Sequence, residues 1–141
     1  QDTSKVRTVL ECMAIDSAGF PLSEAKLQEL ERIDREQHEL IVTHPEDNLR
    51  FAELDKEFHC AIAECCDNAS LIEFIQSINN VMVRFNVLSG TLPQNRQDAL
   101  IEHENIIAFL KKGQREFAKV ALSEHLKHVE ERMLSESKKE R

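Results

Sequence analysis

The chain of 141 residues contains no tryptophan and no tyrosine, and it has only three glycines and three prolines. No segment alternates apolar and polar residues with the period of two that is typical of a half-buried strand. Leu, Ala, Glu, Lys, Ile and Arg dominate instead. This composition predicts an all-helical protein, and the length suits one domain with a real core.

Other absences narrow the function. No apolar run approaches the roughly 20 residues that a membrane-spanning helix needs. The formal net charge of −8 makes the chain a poor partner for nucleic acid, because phosphate contacts need clustered Lys and Arg. The four cysteines (Cys12, Cys60, Cys65 and Cys66) form no C-x-x-C motif, which indicates reduced, mostly buried thiols in a cytoplasmic protein.

Turn signals divide the chain into six predicted helices. Gly19-Phe20-Pro21, His44-Pro45, Asp67-Asn68, Gly90-Thr91-Leu92-Pro93 and Lys112-Gly113 are the signals. The predicted helices run over about 4–18, after Ser23 through Ile41, about 47–66, from Asn68 or Ser70 to about 88, about 95–112, and about 115–135. Short connections between long amphipathic helices predict a single all-α antiparallel bundle of about six helices. Polar residues on these helices add the expectation of a central metal and ligand pocket in this bundle.

Four polar residues interrupt the apolar stripes of these helices. Asp55 and His59 lie four residues apart on the third helix and therefore project from one face. His103 and His125 lie on the stripes of the fifth and sixth helices. A buried carboxylate is costly unless it is paired or bound to a metal. One carboxylate and three converging imidazoles fit a divalent transition metal, with positions left for water or a small carboxylate.

An alternative needs no metal, since buried Asp and His side chains also form hydrogen-bonded polar networks. The other histidines are weaker candidates. His38 and His44 are expected at the surface, and His128 flanks the stripe beside His125. The spacings of common helical metal sites, Glu-x-x-His pairs and His-Glu-x-x-His, do not occur in the chain.

Five short motifs follow one another along nearly the whole chain. They are Arg7-Thr-Val-Leu-Glu11, Phe51-Ala-Glu-Leu-Asp55-Lys-Glu-Phe58-His59, Asp67-Asn68-Ala-Ser-Leu71, Glu102-His103 followed by Ile106-Ile107 and Gly113, and Ala121 through His125-Leu126. The ordered set resembles the FCD domain, the C-terminal effector-binding domain of FadR-type regulators in the bacterial GntR family. Each motif alone would be a weak signal.

The resemblance implies a ligand set. Asp55, His59, His103 and His125 would bind a metal such as zinc, nickel or manganese, and a small organic acid would coordinate that metal. A cationic side chain would steady the acid, because arginine recognises carboxylates in a planar, bidentate way. Arg84, beside the apolar stripe of the fourth helix, is the first candidate, and Arg7 is the second. The alternative for each is a surface position or a structural salt bridge. The stripe consists of Phe74, Ile78, Val81 and Phe85.

The resemblance also implies a larger protein. Such regulators carry a winged helix-turn-helix before this domain, and the chain begins directly at the first helix of the effector domain. We therefore expect residues 1–141 to be the sensory half of a cytoplasmic, homodimeric transcription regulator. It would touch DNA only through the missing N-terminal domain, and the effector would modulate that contact.

Two other functions remain open from the sequence. A small helical metalloenzyme acting on a carboxylate substrate would need a general base beside the metal. Glu57 and Glu102 are nearby for that role, but both are expected on solvated faces. A metal-free interaction bundle would use the four polar residues only as a buried network. We expect a non-enzymatic sensor.

Overall fold

The computed structural model describes residues 2–89 and 93–139, with side chains described over 2–88 and 93–135. Within these ranges it contains six α-helices and no strand. They are α1 (Asp2–Ser17), α2 (Glu24–Thr43), α3 (Asn48–Ala63), α4 (Ala69–Ser89), α5 (Pro93–Lys111) and α6 (Arg115–Lys139). The prediction of an all-α bundle of six helices is confirmed. None of the described helices is both long enough and apolar enough to cross a bilayer.

Local chemistry sets most helix ends. The Ser23 hydroxyl accepts a hydrogen bond from the Lys26 amide, and the Asp47 carboxylate accepts one from the Arg50 amide, so both residues cap the helices that follow. Asn68 does the same at the start of α4. Gly113 ends α5 with a φ of 71°, a left-handed conformation that favours glycine. The sequence predicted Ser23 and Gly113 in these roles.

Several predicted boundaries differ from the structure by two to four residues, among them the start of α1 at Asp2 and the end of α6 at Lys139. The third helix ends at Ala63 instead of Cys66, because Glu64 and Cys65 form a turn and Cys66 pairs with Ala18. The fifth helix begins at Pro93 instead of Asn95, since proline suits the first turn of a helix. The predicted turn at residues 90–92 lies outside the described residues.

The bundle packs around α3, which contacts α1, α2 and α4, while α5 packs on α2 and α6. The main core is apolar and includes the fully buried side chains of Leu30, Phe58, Ile106 and Leu122. A second cluster around Ala14 and Ile75 joins α1 to α4. Among the residues whose side chains are described, ten polar or charged ones are nevertheless buried, and most of them gather where α1, α3, α5 and α6 meet.

Candidate metal centre

Three helices bring the four predicted residues together. Asp55 and His59 come from α3, His103 from α5 and His125 from α6, and all four are buried. One ligand atom from each lies within 4.8 Å of the others. The three imidazole centroids are 4.7 to 5.7 Å apart. The structure therefore places one carboxylate and three imidazoles around a common point.

Each imidazole ring is oriented by a hydrogen bond between its Nδ1 atom and an oxygen of a residue outside this group of four. The partner oxygens are Glu11 Oε1 at 2.5 Å from His59, Gln37 Oε1 at 3.0 Å from His103, and Glu102 Oε1 at 2.6 Å from His125. Carboxylate and amide oxygens only accept hydrogen bonds, so each Nδ1 donates a proton. In the neutral imidazole this leaves the Nε2 lone pair facing the common point.

The environment of the three Nε2 atoms favours a bound metal ion. Within the described part of the chain, the Nε2 atoms of His59, His103 and His125 are buried and have no hydrogen-bond partner. Asp55 Oδ1 lies 3.1 Å from His103 Nε2 and 3.7 Å from His59 Nε2. Buried lone pairs that face one another and a carboxylate are unfavourable unless a cation lies between them. The donor set suits zinc, nickel or manganese.

Charge and burial shape the protonation of the site. Burial lowers the pKa of His103, and it lowers the pKa of His125 to about 3, so both rings are neutral and available as ligands. Burial also opposes charging of His59, but the carboxylates of Glu11 and Asp55 outweigh it and raise the pKa of this ring. Burial would raise the pKa of Asp55, yet the neighbouring histidines hold it well below its usual range.

A buried polar network joins the site to α1 and α4. Arg7 Nε donates to Glu11 Oε2 at 2.8 Å, and Arg7 Nη2 donates to Asn79 Oδ1 at 2.9 Å. Arg7 Nη2 also lies 3.9 Å from Asp55 Oδ2. The side chains of Arg7, Glu11 and Asn79 are at most 2% exposed. Arg7 is thus beside the site, as the sequence suggested, but it is already bound to Glu11 and Asn79.

Glu102 differs from the sequence expectation. It was expected on a solvated face, but its side chain is only 16% exposed, because it lies between α5 and α6. Its Oε1 accepts from His125, and its Oε2 accepts from His128 Nδ1 at 3.1 Å and from Arg132. Burial would raise the pKa of Glu102, but the hydrogen bonds from His125 and Arg132 lower it to about 2.

A cavity opens beside Asp55 between α3, α4, α5 and α6. Its lining consists of Phe51, Asp55, Asn86, Asn95, Arg96, Ala99, Val129 and Arg132. Asn86 Nδ2 donates to Asp55 Oδ2 at 3.0 Å. Arg96 Nε is buried and has no hydrogen-bond partner among the described residues, although the Arg96 guanidinium also donates to the Pro45 carbonyl. The cavity thus combines two arginines with an edge of the candidate metal site.

The sequence pattern favoured Arg84, whereas the arginines that line the cavity are Arg96 and Arg132. The cause was the choice of stripe on α4. Phe74, Val81 and Phe85 are exposed, at 62%, 54% and 37%. The buried face of this helix carries Leu71, Ile75, Asn79 and Met82. Arg84 is accordingly exposed and does not line the cavity. The buried stripe at positions 71, 75, 79 and 82 has equally good helical spacing. It was less recognisable in the sequence because Asn79 is polar.

The remaining histidines lie at the surface. His38 and His44 are exposed, as predicted. His38 forms a second group with Asp34 and Glu104 whose ligand atoms also lie within 4.8 Å, but two of these three residues are exposed. His128 is exposed and binds Glu102, so it does not replace His125 in the site.

Comparison with known proteins identifies the family of the chain. The model of the FCD domain family matches residues 2–128, which is most of the chain. The chain belongs to the FCD domain family. A relative from Bacillus subtilis (strain 168), described as the uncharacterized HTH-type transcriptional regulator YdhC, is 28% identical over 132 residues. The match covers 89% of this chain and 58% of that protein, so this FCD domain spans little more than half the length of its relative.

Proposed function

We propose that this FCD domain is the effector-sensing part of a GntR/FadR-type transcription regulator and that it binds a divalent transition metal. The ligands are Asp55, His59, His103 and His125, and zinc, nickel and manganese are all compatible with them. The observation that carries the proposal is the set of three buried Nε2 atoms without hydrogen-bond partners, each on a ring whose Nδ1 is already held. Outer partners of this kind orient metal-binding histidines.

The cavity beside Asp55 is the proposed effector site. Its two arginines, Arg96 and Arg132, favour an anionic ligand, and the apolar Phe51, Ala99 and Val129 favour a small organic acid over inorganic phosphate. A carboxylate bound there would be next to the metal. The unpartnered Nε of Arg96 supports this arrangement, because it is a buried donor that an acid could satisfy.

Neither glutamate that the sequence offered as a general base suits the metalloenzyme alternative. Glu102 accepts three hydrogen bonds and its pKa is lowered to about 2, so it is a weak proton acceptor. Glu57 is engaged by Arg32 at 3.7 Å and by Arg50 at 3.4 Å. Binding without turnover is therefore the expected behaviour with any small organic acid.

We also propose a homodimer that uses the exposed face of α4. Apolar residues recur there at intervals of four and three, at positions 74, 78, 81, 85 and 88. Glu73 and Arg84 are the charged residues of this helix, so its exposed apolar face carries little charge that would favour contact with water over contact with a partner. In the whole cytoplasmic protein, effector binding would change how two attached DNA-binding domains are held.

Elemental analysis tests the metal site. The wild-type protein and a His103→Ala variant are dialysed without added metal and measured in parallel. About one equivalent of transition metal in the wild type, lost in the variant, is the expected result. Absence of metal from both, together with no uptake of added zinc, nickel or manganese, would overturn the proposal. Calorimetry with citrate and acetate, on the metal-loaded protein, then tests the cavity.

A further inference from the structure

We propose that Glu102 couples the contents of the cavity to the metal ligand His125. The proposal rests on the metal and effector sites proposed above. One oxygen of Glu102, Oε1, accepts the Nδ1 proton of His125 at 2.6 Å. The other oxygen, Oε2, accepts from Arg132, and Arg132 lines the cavity together with Asp55. A single carboxylate therefore joins a candidate metal ligand to a candidate anion-binding arginine.

The position of Glu102 suits this role. His125, His128 and Arg132 follow one another on α6 at intervals of three and four, so they share one face of that helix. Glu102 reaches all three of them from α5. The side chains of Glu102 and Arg132 are each 16% exposed, so water screens their pairing only in part.

The direction of the coupling follows from charge. A carboxylate that shares its charge with a guanidinium is a weaker acceptor for the imidazole proton. When an anion in the cavity draws Arg132 away, Glu102 holds the His125 Nδ1 proton more strongly. Nε2 then becomes a better electron donor, because an outer carboxylate raises the basicity of the histidine ligand. An anion at Arg132 thus tightens metal binding without touching the metal.

His128 keeps Glu102 in place during this exchange. Its Nδ1 lies 3.1 Å from Glu102 Oε2, the same oxygen that Arg132 contacts. When Arg132 leaves, Oε2 therefore still has a donor, and the carboxylate remains oriented toward His125. Because coupling between two sites is reciprocal, bound metal also strengthens anion binding at Arg132 by the same factor.

The experiment is a mutant cycle on zinc affinity, measured by competition with a chromophoric chelator in buffer without added anion. Glu102→Gln is expected to weaken zinc binding by about 10- to 100-fold. Arg132→Gln is expected to tighten it by about two- to fivefold, the range of a modest ion pair. In the Glu102→Gln background, Arg132→Gln is expected to have no further effect. Arg132→Met repeats the test if the glutamine variant does not fold.

Two controls separate this route from the simple removal of a charge, one for Arg132→Gln and one for Glu102→Gln. Arg96→Gln removes the other cavity arginine, which has no hydrogen bond to Glu102, and Glu104→Gln changes the exposed neighbour of His103. Acetate, used as the anion probe, should tighten zinc binding in the wild type but not in Arg132→Gln.

Two results would overturn the coupling between the cavity and the metal site. An equal gain from Arg132→Gln with and without Glu102 would overturn the coupling, and so would a loss of zinc affinity in Arg132→Gln. The proposed function would survive either result as long as the wild type binds zinc and His103→Ala does not. Failure of the wild type to bind any metal would overturn both.

Discussion

Glu11 and His59 are 48 residues apart in the chain, yet Glu11 Oε1 lies 2.5 Å from His59 Nδ1 with both side chains fully buried. The same carboxylate also binds Arg7 through its second oxygen. The first helix is thereby connected to the candidate metal centre by a charged pair with no solvent around it. Removing one partner of the buried Arg7–Glu11 ion pair is destabilising, because the other charge is then left buried without a partner.

Replacing Glu11 with Gln should therefore lower the free energy of unfolding. The change leaves the buried Arg7 cation without its carboxylate, at an expected cost of about 3 kcal/mol. Thermal and urea unfolding of the metal-free protein measure this cost. Glu124→Gln, on the exposed face of α6, is the matched control and should be neutral.

A double variant, Arg7→Met with Glu11→Leu, separates stability from metal binding. It removes both charges and should recover most of the lost stability, because apolar residues often replace buried ion pairs at little cost. Zinc affinity should stay about 10-fold or more below that of the wild type, since His59 has lost its outer partner. Recovery of full affinity would contradict the assigned role of Glu11.

The stability of the wild type should depend on metal. Zinc at about 100 times its dissociation constant should stabilise the folded state by about 2.7 kcal/mol. The melting temperatures of wild type and His103→Ala should therefore differ with zinc present, and chelator should remove most of that difference. His44→Ala, an exposed histidine, should behave as the wild type. A difference that persists unchanged in chelator would favour a metal-free polar network.

Citrate binding to the zinc-loaded protein should depend on the cavity arginines. Arg96→Gln is expected to weaken binding by about 10- to 100-fold, the range for a hydrogen bond to a charged group. Arg84→Gln is the matched control, because Arg84 is exposed outside the cavity. Isothermal titration calorimetry provides both affinities. Equal losses in the two variants would place the acid elsewhere.

The exposed face of α4 should control self-association. Phe74→Glu puts a charge in place of an aromatic side chain that is 62% exposed. We expect the dimer dissociation constant to rise by about 30-fold or more, since interface aromatics commonly contribute above 2 kcal/mol. Ile101→Glu, 58% exposed on α5, is the control. Sedimentation velocity over a concentration series gives the constant, and a monomeric wild type would exclude this interface.

Asp34 should make the protein less stable at neutral pH. Burial and the Glu104 carboxylate raise its pKa to about 6, against the weaker opposing effects of His38 and Arg35, with Glu31 adding to the increase. The folded state therefore favours the protonated acid. This contribution stabilises the fold at pH values below about 4 and is lost as the pH rises through 6.

The corresponding variant is Asp34→Asn. It should stabilise the protein by about 1 kcal/mol at pH 7.5, well below the limit set by the shift in pKa, because water partly screens this carboxylate. The gain should be smaller at pH 4 and vanish near pH 3, because only below the unfolded-state pKa of about 4 is the wild-type acid protonated in both states. Urea unfolding at these pH values measures this, and a gain that is independent of pH would contradict the assignment.

The sequence by itself determined the helices and the four candidate ligands. Helical periodicity, the caps at Ser23 and Gly113, and the scarcity of breakers are local properties, so they could be recognised without a fold. Asp55, His59, His103 and His125 were recognisable because a polar residue on an apolar stripe is a local anomaly as well. The order of the five motifs along the chain indicated the FCD domain family.

Only the tertiary structure decided what surrounds those ligands. Glu11, Gln37 and Glu102 approach the imidazoles from other helices, over separations of 48, 66 and 23 residues. Such contacts depend on how the helices pack, and helix periodicity carries no information about that. The same reason explains the choice of Arg84 over Arg96 and Arg132. Two stripes of α4 fit the helical period equally well, and the neighbouring helices determined which one was buried.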